Sequence, residues 1–123
     1  MVRPVAILCL LAAALAAGCG GEIEVPDDEP VAHEGAVLFN ERCSGCHSLD
    51  AANAYGSKPP GQIQGGERTN GPNFNVRHVS RDDALFAIRN GGFSGQIMPA
   101  NVVVGDDADA VADFLAEYSG KGG

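Results

Sequence analysis

The sequence predicts a small all-α domain, on three observations. Three segments carry helical signals, the long stretch between the first two shows no strand pattern, and the chain is short. It has 123 residues, 17 of them glycine and only 6% aromatic. That length suits one small domain and not two. A core made only of these side chains would be thin, and domains of this kind usually rely on a staple such as a disulfide, a metal or a cofactor.

The first helix is expected from about Glu34 to Ser44. The second starts at Ser80, whose side chain can cap it, with Asp83 three places on completing a capping-box pattern. It includes Leu85 and Ile88 and should stop at Gly91-Gly92. The third runs from near Asp106 to about Tyr118. Its apolar residues Val111, Phe114, Leu115 and Tyr118 recur at i, i+3, i+4 and i+7, which is one helix face. Asp106, Asp107 and Asp109 suit the positive end of its dipole. Ala51 to Asn70, rich in Gly and Pro, is read as a long loop, either functional or mobile.

Ahead of the domain lies an export signal. Arg3 precedes an almost wholly apolar run, Val5 to Ala17, too short to cross a membrane comfortably. The run ends in Leu15-Ala16-Ala17-Gly18-Cys19, which resembles the lipobox of bacterial lipoproteins. That resemblance implies cleavage after residue 18 and a lipid on Cys19. Ordinary cleavage near Ala14-Leu15-Ala16, or an uncleaved anchor, are the alternatives. Cys9 would be discarded with the signal. Residues 19–33 hold Glu22, Glu24, Asp27, Asp28 and Glu29 with Pro26 and Pro30, and read as an acidic tether whose extended part, Gly20 to about Val31, reaches at most roughly 40 Å. The domain proper is residues 34–120.

The formal charge is −8. An acidic chain repels nucleic acid, which sets that partner class aside. It suits a docking partner with a basic face, and it also serves plain solubility.

The chemistry sits in Cys43-Ser44-Gly45-Cys46-His47. In the C-x-x-C-H arrangement two cysteines take thioether bonds to the vinyl groups of a c-type haem and the histidine gives a nitrogen to iron. Chance expectation for this spacing from this composition is about 0.003 per chain. Gly45 is expected to help the close turn beneath the ring. A thioredoxin-like pair needs a βαβ context that is absent, and a zinc site needs four ligands where only histidines could complete the pair. A plain disulfide is the remaining alternative. On a helical wheel Gly35, Phe39, Cys43 and Cys46 fall at about 0°, 40°, 80° and 20°. One face thus carries a gap, an aromatic and both cysteines. Gly35 would let another helix approach closely, with Phe39 packed on it.

At these residues the chain resembles a class I, monohaem bacterial cytochrome c of lipoprotein type. The likeness spans about Glu34 to Gly120. It rests on the haem motif, on Gly71-Pro72-Asn73-Phe74, on Ile97-Met98-Pro99, and on Gly35 with Phe39 against Phe114 with Tyr118. It implies a small cytochrome c fold, three main helices wrapped around one covalently bound haem c. It further implies that the Pro72 carbonyl accepts a hydrogen bond from His47, and that Met98 is the second axial ligand. His78 is the competitor for that position and His33 a distant one; His78 is expected to be exposed. The stretch 51–70 is longer than the family's usual link, so no propionate contacts are assigned.

The resemblance implies a single-electron carrier rather than an enzyme. A six-coordinate iron leaves no place for substrate, and methionine–histidine ligation raises the potential. The expected setting is a bacterial respiratory chain. The protein would be exported, periplasmic or anchored by lipid to the outer face of the cytoplasmic membrane, and monomeric. By analogy, a quinol-oxidising complex is the donor and a terminal oxidase the acceptor. Two other classes are weighed. A haem subunit of an extracytoplasmic oxidoreductase, such as a peroxidase-like domain, would need an open distal site. A gas or redox sensor would need an output element.

Overall fold

The computed structural model describes residues 21–57, 71–92 and 97–122. The expected signal (residues 1–18), Cys9, Cys19, Gly95 and the 58–70 part of the long loop lie outside the described residues. Among the described residues three helices make the frame: α1 (Pro30–Cys43), α2 (Arg81–Asn90) and α3 (Gly105–Tyr118).

Helix α1 begins four residues ahead of the sequence expectation. Pro30 stands in its first turn, where the fixed φ suits a helix and the missing N–H costs no bond. Glu29 precedes it without capping through its side chain. Its carboxylate instead accepts a 2.7 Å hydrogen bond from the Tyr118 hydroxyl, at the far end of the chain. This contact holds the Tyr118 phenol up to about 12, chiefly because the neutral hydroxyl is the donor and secondarily because burial disfavours the phenolate.

Helix α1 crosses α3 closely. A side chain at Gly35 would overlap the Ala110 carbonyl and the Phe114 Cβ, so the glycine is what lets the two backbones meet. Beside it the rings of Phe39 and Phe114 lie 6.0 Å apart, both fully buried. Each large apolar side chain buried in this way contributes about 1.5–3 kcal/mol. Helix α2 is capped as its sequence suggests, with Ser80 Oγ accepting from the Asp83 N–H, and it ends at Gly91 with φ 83°. Leu85 and Ile88 enter the common core. On the surface, Arg81 forks to Asp109 (2.6 Å) and Asp113 (2.5 Å), one turn apart on α3.

Two features depart from the sequence reading. The long stretch opens with structure: Ser48–Leu49 (β1) pairs antiparallel with Ala54–Tyr55 (β2) around a 3-10 turn at Asp50–Ala52. Strands of two residues carry no period to read. Asn53 closes the turn at φ 51°, and Asn40 of α1 donates to the carbonyls of Ala52 and Asn53, both at 2.9 Å.

The acidic segment is the second departure. Residues 30–33 are helix, and 21–29 are laid along the domain. Val25 is 4% exposed and Ile23 half-buried, while Glu22 and Glu24 face solvent. Glu22-Ile23-Glu24-Val25 thus alternates as a half-buried strand does. The Glu24 N–H donates to the Ala51 carbonyl at 2.9 Å, and Asn53 Nδ2 to the Gly21 carbonyl at 2.8 Å. Among the described residues no helix is long and apolar enough to cross a membrane.

Candidate functional site

The cysteine motif grows out of the end of α1. Cys43 is its last residue, and the chain turns on with Cys46 N–H and His47 N–H both donating to the Cys43 carbonyl, at 3.2 and 3.0 Å. Both thiols are free and half-buried. Burial, with a smaller push from Cys46, raises the Cys43 thiol to about 11, so it stays protonated and neutral. Gly45 is exposed, and a Cβ there would meet nothing within 4 Å. Its φ is not positive, so the backbone conformation there does not by itself demand glycine.

His47 is buried and fixed from several sides. Its Nδ1 lies 3.0 Å from the Pro72 carbonyl. A carbonyl only accepts, so Nδ1 carries the hydrogen. Burial lowers the imidazole below its ordinary range, opposed by the Pro72 bond. The ring is therefore neutral, and its Nε2 keeps a lone pair. That is the state a metal-binding histidine requires.

The segment carrying Pro72 is tied to the motif by backbone bonds. Gly71 N–H donates to the Cys46 carbonyl (2.6 Å) and Phe74 N–H to the Ser48 carbonyl (2.8 Å). Ser57 Oγ donates to the Gly71 carbonyl at 2.9 Å and accepts from the Ser48 N–H at 3.0 Å. A Cβ on Gly71 would overlap the His47 ring, so only glycine lets this segment lie against the imidazole. Phe74 stacks on His47, with centroids 4.8 Å apart and planes 18° off parallel. Phe39 touches both rings, at 6.2 and 6.0 Å, and links them to the α1–α3 crossing.

Met98 is half-buried against the core. Its carbonyl accepts from the Gly92 N–H at 3.2 Å, and the Asn101 N–H donates to the Ile88 carbonyl at 2.6 Å. Residues 97–101 thus hang from the C-terminal end of α2. His78 is exposed, as expected, with Nδ1 held near the Ser119 carbonyl (3.2 Å) and hydroxyl (3.3 Å). His33 lies on α1, 3.6 Å from the exposed Asp27 carboxylate.

The structure therefore brings Cys43, Cys46, His47 and Pro72 together. Sequence reasoning assigned no role to Phe74 or Gly71. Their only signal was membership of the Gly-Pro-Asn-Phe segment.

A model of the family described as cytochrome c oxidase, cbb3-type, subunit III matches residues 30–115. Among solved structures, the chain is similar to the crystal structure of the c-type cytochrome SorU from Sinorhizobium meliloti. The TM-score is 0.57 at 28% identity, over 76% of this chain and 97% of that one. No curated protein matches. The cofactor of this family is covalently bound haem c, and the residues present fit it. Two free thiols stand three residues apart in the chain, directly before a neutral imidazole whose Nδ1–H is already spent on the Pro72 carbonyl. Among the described residues no group of three or more His, Cys, Asp or Glu stands together in a way that could hold a metal ion. The chain belongs to the cytochrome c family, in the cbb3-type subunit III branch.

Proposed function

We propose that this protein is a monohaem, single-electron carrier of a bacterial respiratory chain, working outside the cytoplasm between membrane redox complexes. The observation that carries the reading is the neutral His47, directly after the two free cysteines, with its Nδ1–H spent on the Pro72 carbonyl. Haem c supplies a one-electron iron couple when bound. Cys43 and Cys46 would hold it through thioethers in both redox states, and His47 would give its Nε2 to the iron. The Pro72 carbonyl fixes the tautomer and makes the imidazole more basic. Met98 would give its thioether to the iron as the second protein ligand. It is the sole methionine besides Met1, and Met1 would leave with the signal. A thioether there raises the potential and closes the iron to substrate. Cys19 carries the lipid. Quinol-oxidising and terminal oxidase complexes are the donor and acceptor by analogy.

Visible spectra of the exported protein, oxidised and reduced, with and without carbon monoxide, test this. The expected result is a low-spin spectrum, a sulfur-to-iron charge-transfer band when oxidised, and no carbon monoxide binding. Ready binding of carbon monoxide overturns the His47–Met98 assignment and turns the search to catalysis or sensing. A second reading, a fixed haem subunit of an oxidoreductase complex, draws on the description of the matched family as an oxidase subunit. Purification from membranes separates the two, because a subunit leaves in stoichiometric complex and a carrier leaves alone.

A further inference from the structure

The segment between the lipidation residue and the first helix is short of free chain. Gly21 is already docked: Asn53 Nδ2 donates to its carbonyl, and a Cβ there would overlap the Asn53 side chain. Three residues on, the Glu24 N–H is bonded to the Ala51 carbonyl. Val25 is part of the core, and Glu29 is bound to Tyr118 before Pro30 opens the helix. These contacts touch the hairpin turn, the core and the last helix. They leave no loose run between Gly21 and the domain.

We propose that residues 21–29 are a strap, not a tether, and that they hold the domain directly on the lipid surface with the Asn53 turn toward the headgroups. The proposal rests on lipidation at Cys19. Two residue steps separate Cys19 from Gly21, and they span at most about 7 Å. A free segment as far as the helix would have allowed roughly 40 Å. The carrier therefore works at a fixed height and orientation, and partners must present their redox centres close to the membrane plane. The charge on this face sets its lipid preference. Residues 21–29 and 48–55 contain Glu22, Glu24, Asp27, Asp28, Glu29 and Asp50 and no Lys or Arg. Anionic headgroups repel such a face within about a Debye length, roughly 10 Å at 0.1 M salt, and zwitterionic ones do not.

The test uses the full lipidated holo-protein in phosphatidylcholine vesicles carrying a trace of headgroup-labelled fluorescent lipid, which the haem quenches. Hydrogen exchange at the Glu24 amide is read on the same sample. Two variants accompany it. One carries ten Gly/Ser residues inserted between Gly20 and Gly21, outside every strap contact. The other is Asn53→Gly, which keeps the positive φ and removes the bond to Gly21. In the parent protein the Glu24 amide is expected to exchange more than about tenfold slower than an open amide. The insertion keeps that protection, and quenching falls by about half or more as the domain gains a reach of roughly 17 Å. Asn53→Gly speeds Glu24 exchange at least about threefold. Unprotected Glu24 in the parent, or unchanged quenching after the insertion, overturns the strap. Failure of lipidation reads differently. The mature chain then shows no acyl mass and does not float with vesicles while Glu24 stays protected, which removes the membrane contact and leaves the strap standing.

Discussion

The His47 side and the Met98 side of the molecule are built on different terms. His47 is held by a lattice: Pro72 on its Nδ1, Phe74 across its ring, Gly71 against its edge, and Gly56 N–H on its own carbonyl at 3.0 Å. Bonds from Ser57 to Gly71 and from Phe74 to Ser48 close the frame around it. Met98 hangs on a loop whose described ties run to one place, the C-terminal end of α2, through Gly92 and Ile88. The first side is oriented by packing that the polypeptide makes with itself. The second depends on a few backbone bonds and, in the proposed function, on the bond to iron. Damage on the His47 side should therefore be damage to the fold. On the Met98 side it should fall mainly on ligation.

The largest expected effect is Gly71→Ala. Its Cβ would overlap the imidazole, and the ring has no room to retreat between Phe74 and Phe39. A loss of more than about 3 kcal/mol is expected from forced overpacking and broken bonds together. Denaturant unfolding of the holo-protein measures it. A loss below about 1 kcal/mol would show that the segment shifts freely and that the lattice is softer than its bond lengths imply.

Met98→Ala comes next and tests the other side. The residue is only half-buried, so the packing loss should sit near the low end for such truncations, about 2 kcal/mol, with the three helices intact by circular dichroism. The charge-transfer band should vanish and carbon monoxide should bind. A spectrum identical to the parent's would remove Met98 from the iron, and the exposed His78 would be the next residue to replace.

A smaller effect lies outside both sides and calibrates them. The Tyr118 phenol is held up to about 12 by its bond to Glu29, against an ordinary value of 10.0. The folded state thus keeps a proton that the unfolded state releases. The contribution is whole below pH 10 and is lost as pH rises from 10 to 12. Because the pair lies near the surface, it is worth under about 1 kcal/mol. Thermal unfolding across that window should steepen in the parent and flatten in Tyr118→Phe. Equal slopes would show that the Glu29 contact adds nothing.

How much of this was legible depended on whether a feature had a period or a fixed spacing. The cysteine motif, the Ser80 cap, the face of α3 and the Gly35–Phe39 crossing all had one, and the structure brings the last three about as read. The strap had a period too, Glu22-Ile23-Glu24-Val25, but five acids and two prolines in one stretch outweighed two apolar residues. The start of α1 was hidden because Glu29 turns its side chain to Tyr118 rather than to the helix. The stacking of Phe74 on His47 had no local signal, since it joins residues far apart in sequence. Contacts of that kind follow from tertiary packing and not from propensity.

The smallest expected effect sharpens the comparison most, because it separates a backbone role from a side-chain one. What Pro72 offers His47 is its carbonyl, which every residue has. Pro72→Ala keeps that acceptor, and the Gly71 and Phe74 bonds on either side still hold the peptide in place. The variant should lose only about 0.4–1 kcal/mol, through the greater freedom of its unfolded chain. Its absorption bands and redox potential should stay where the parent's are. A shifted potential would mean that the pyrrolidine ring, and not the lattice around it, sets the direction of the carbonyl. In that case the His47 side would depend on one rigid residue, much as the Met98 side depends on one loop.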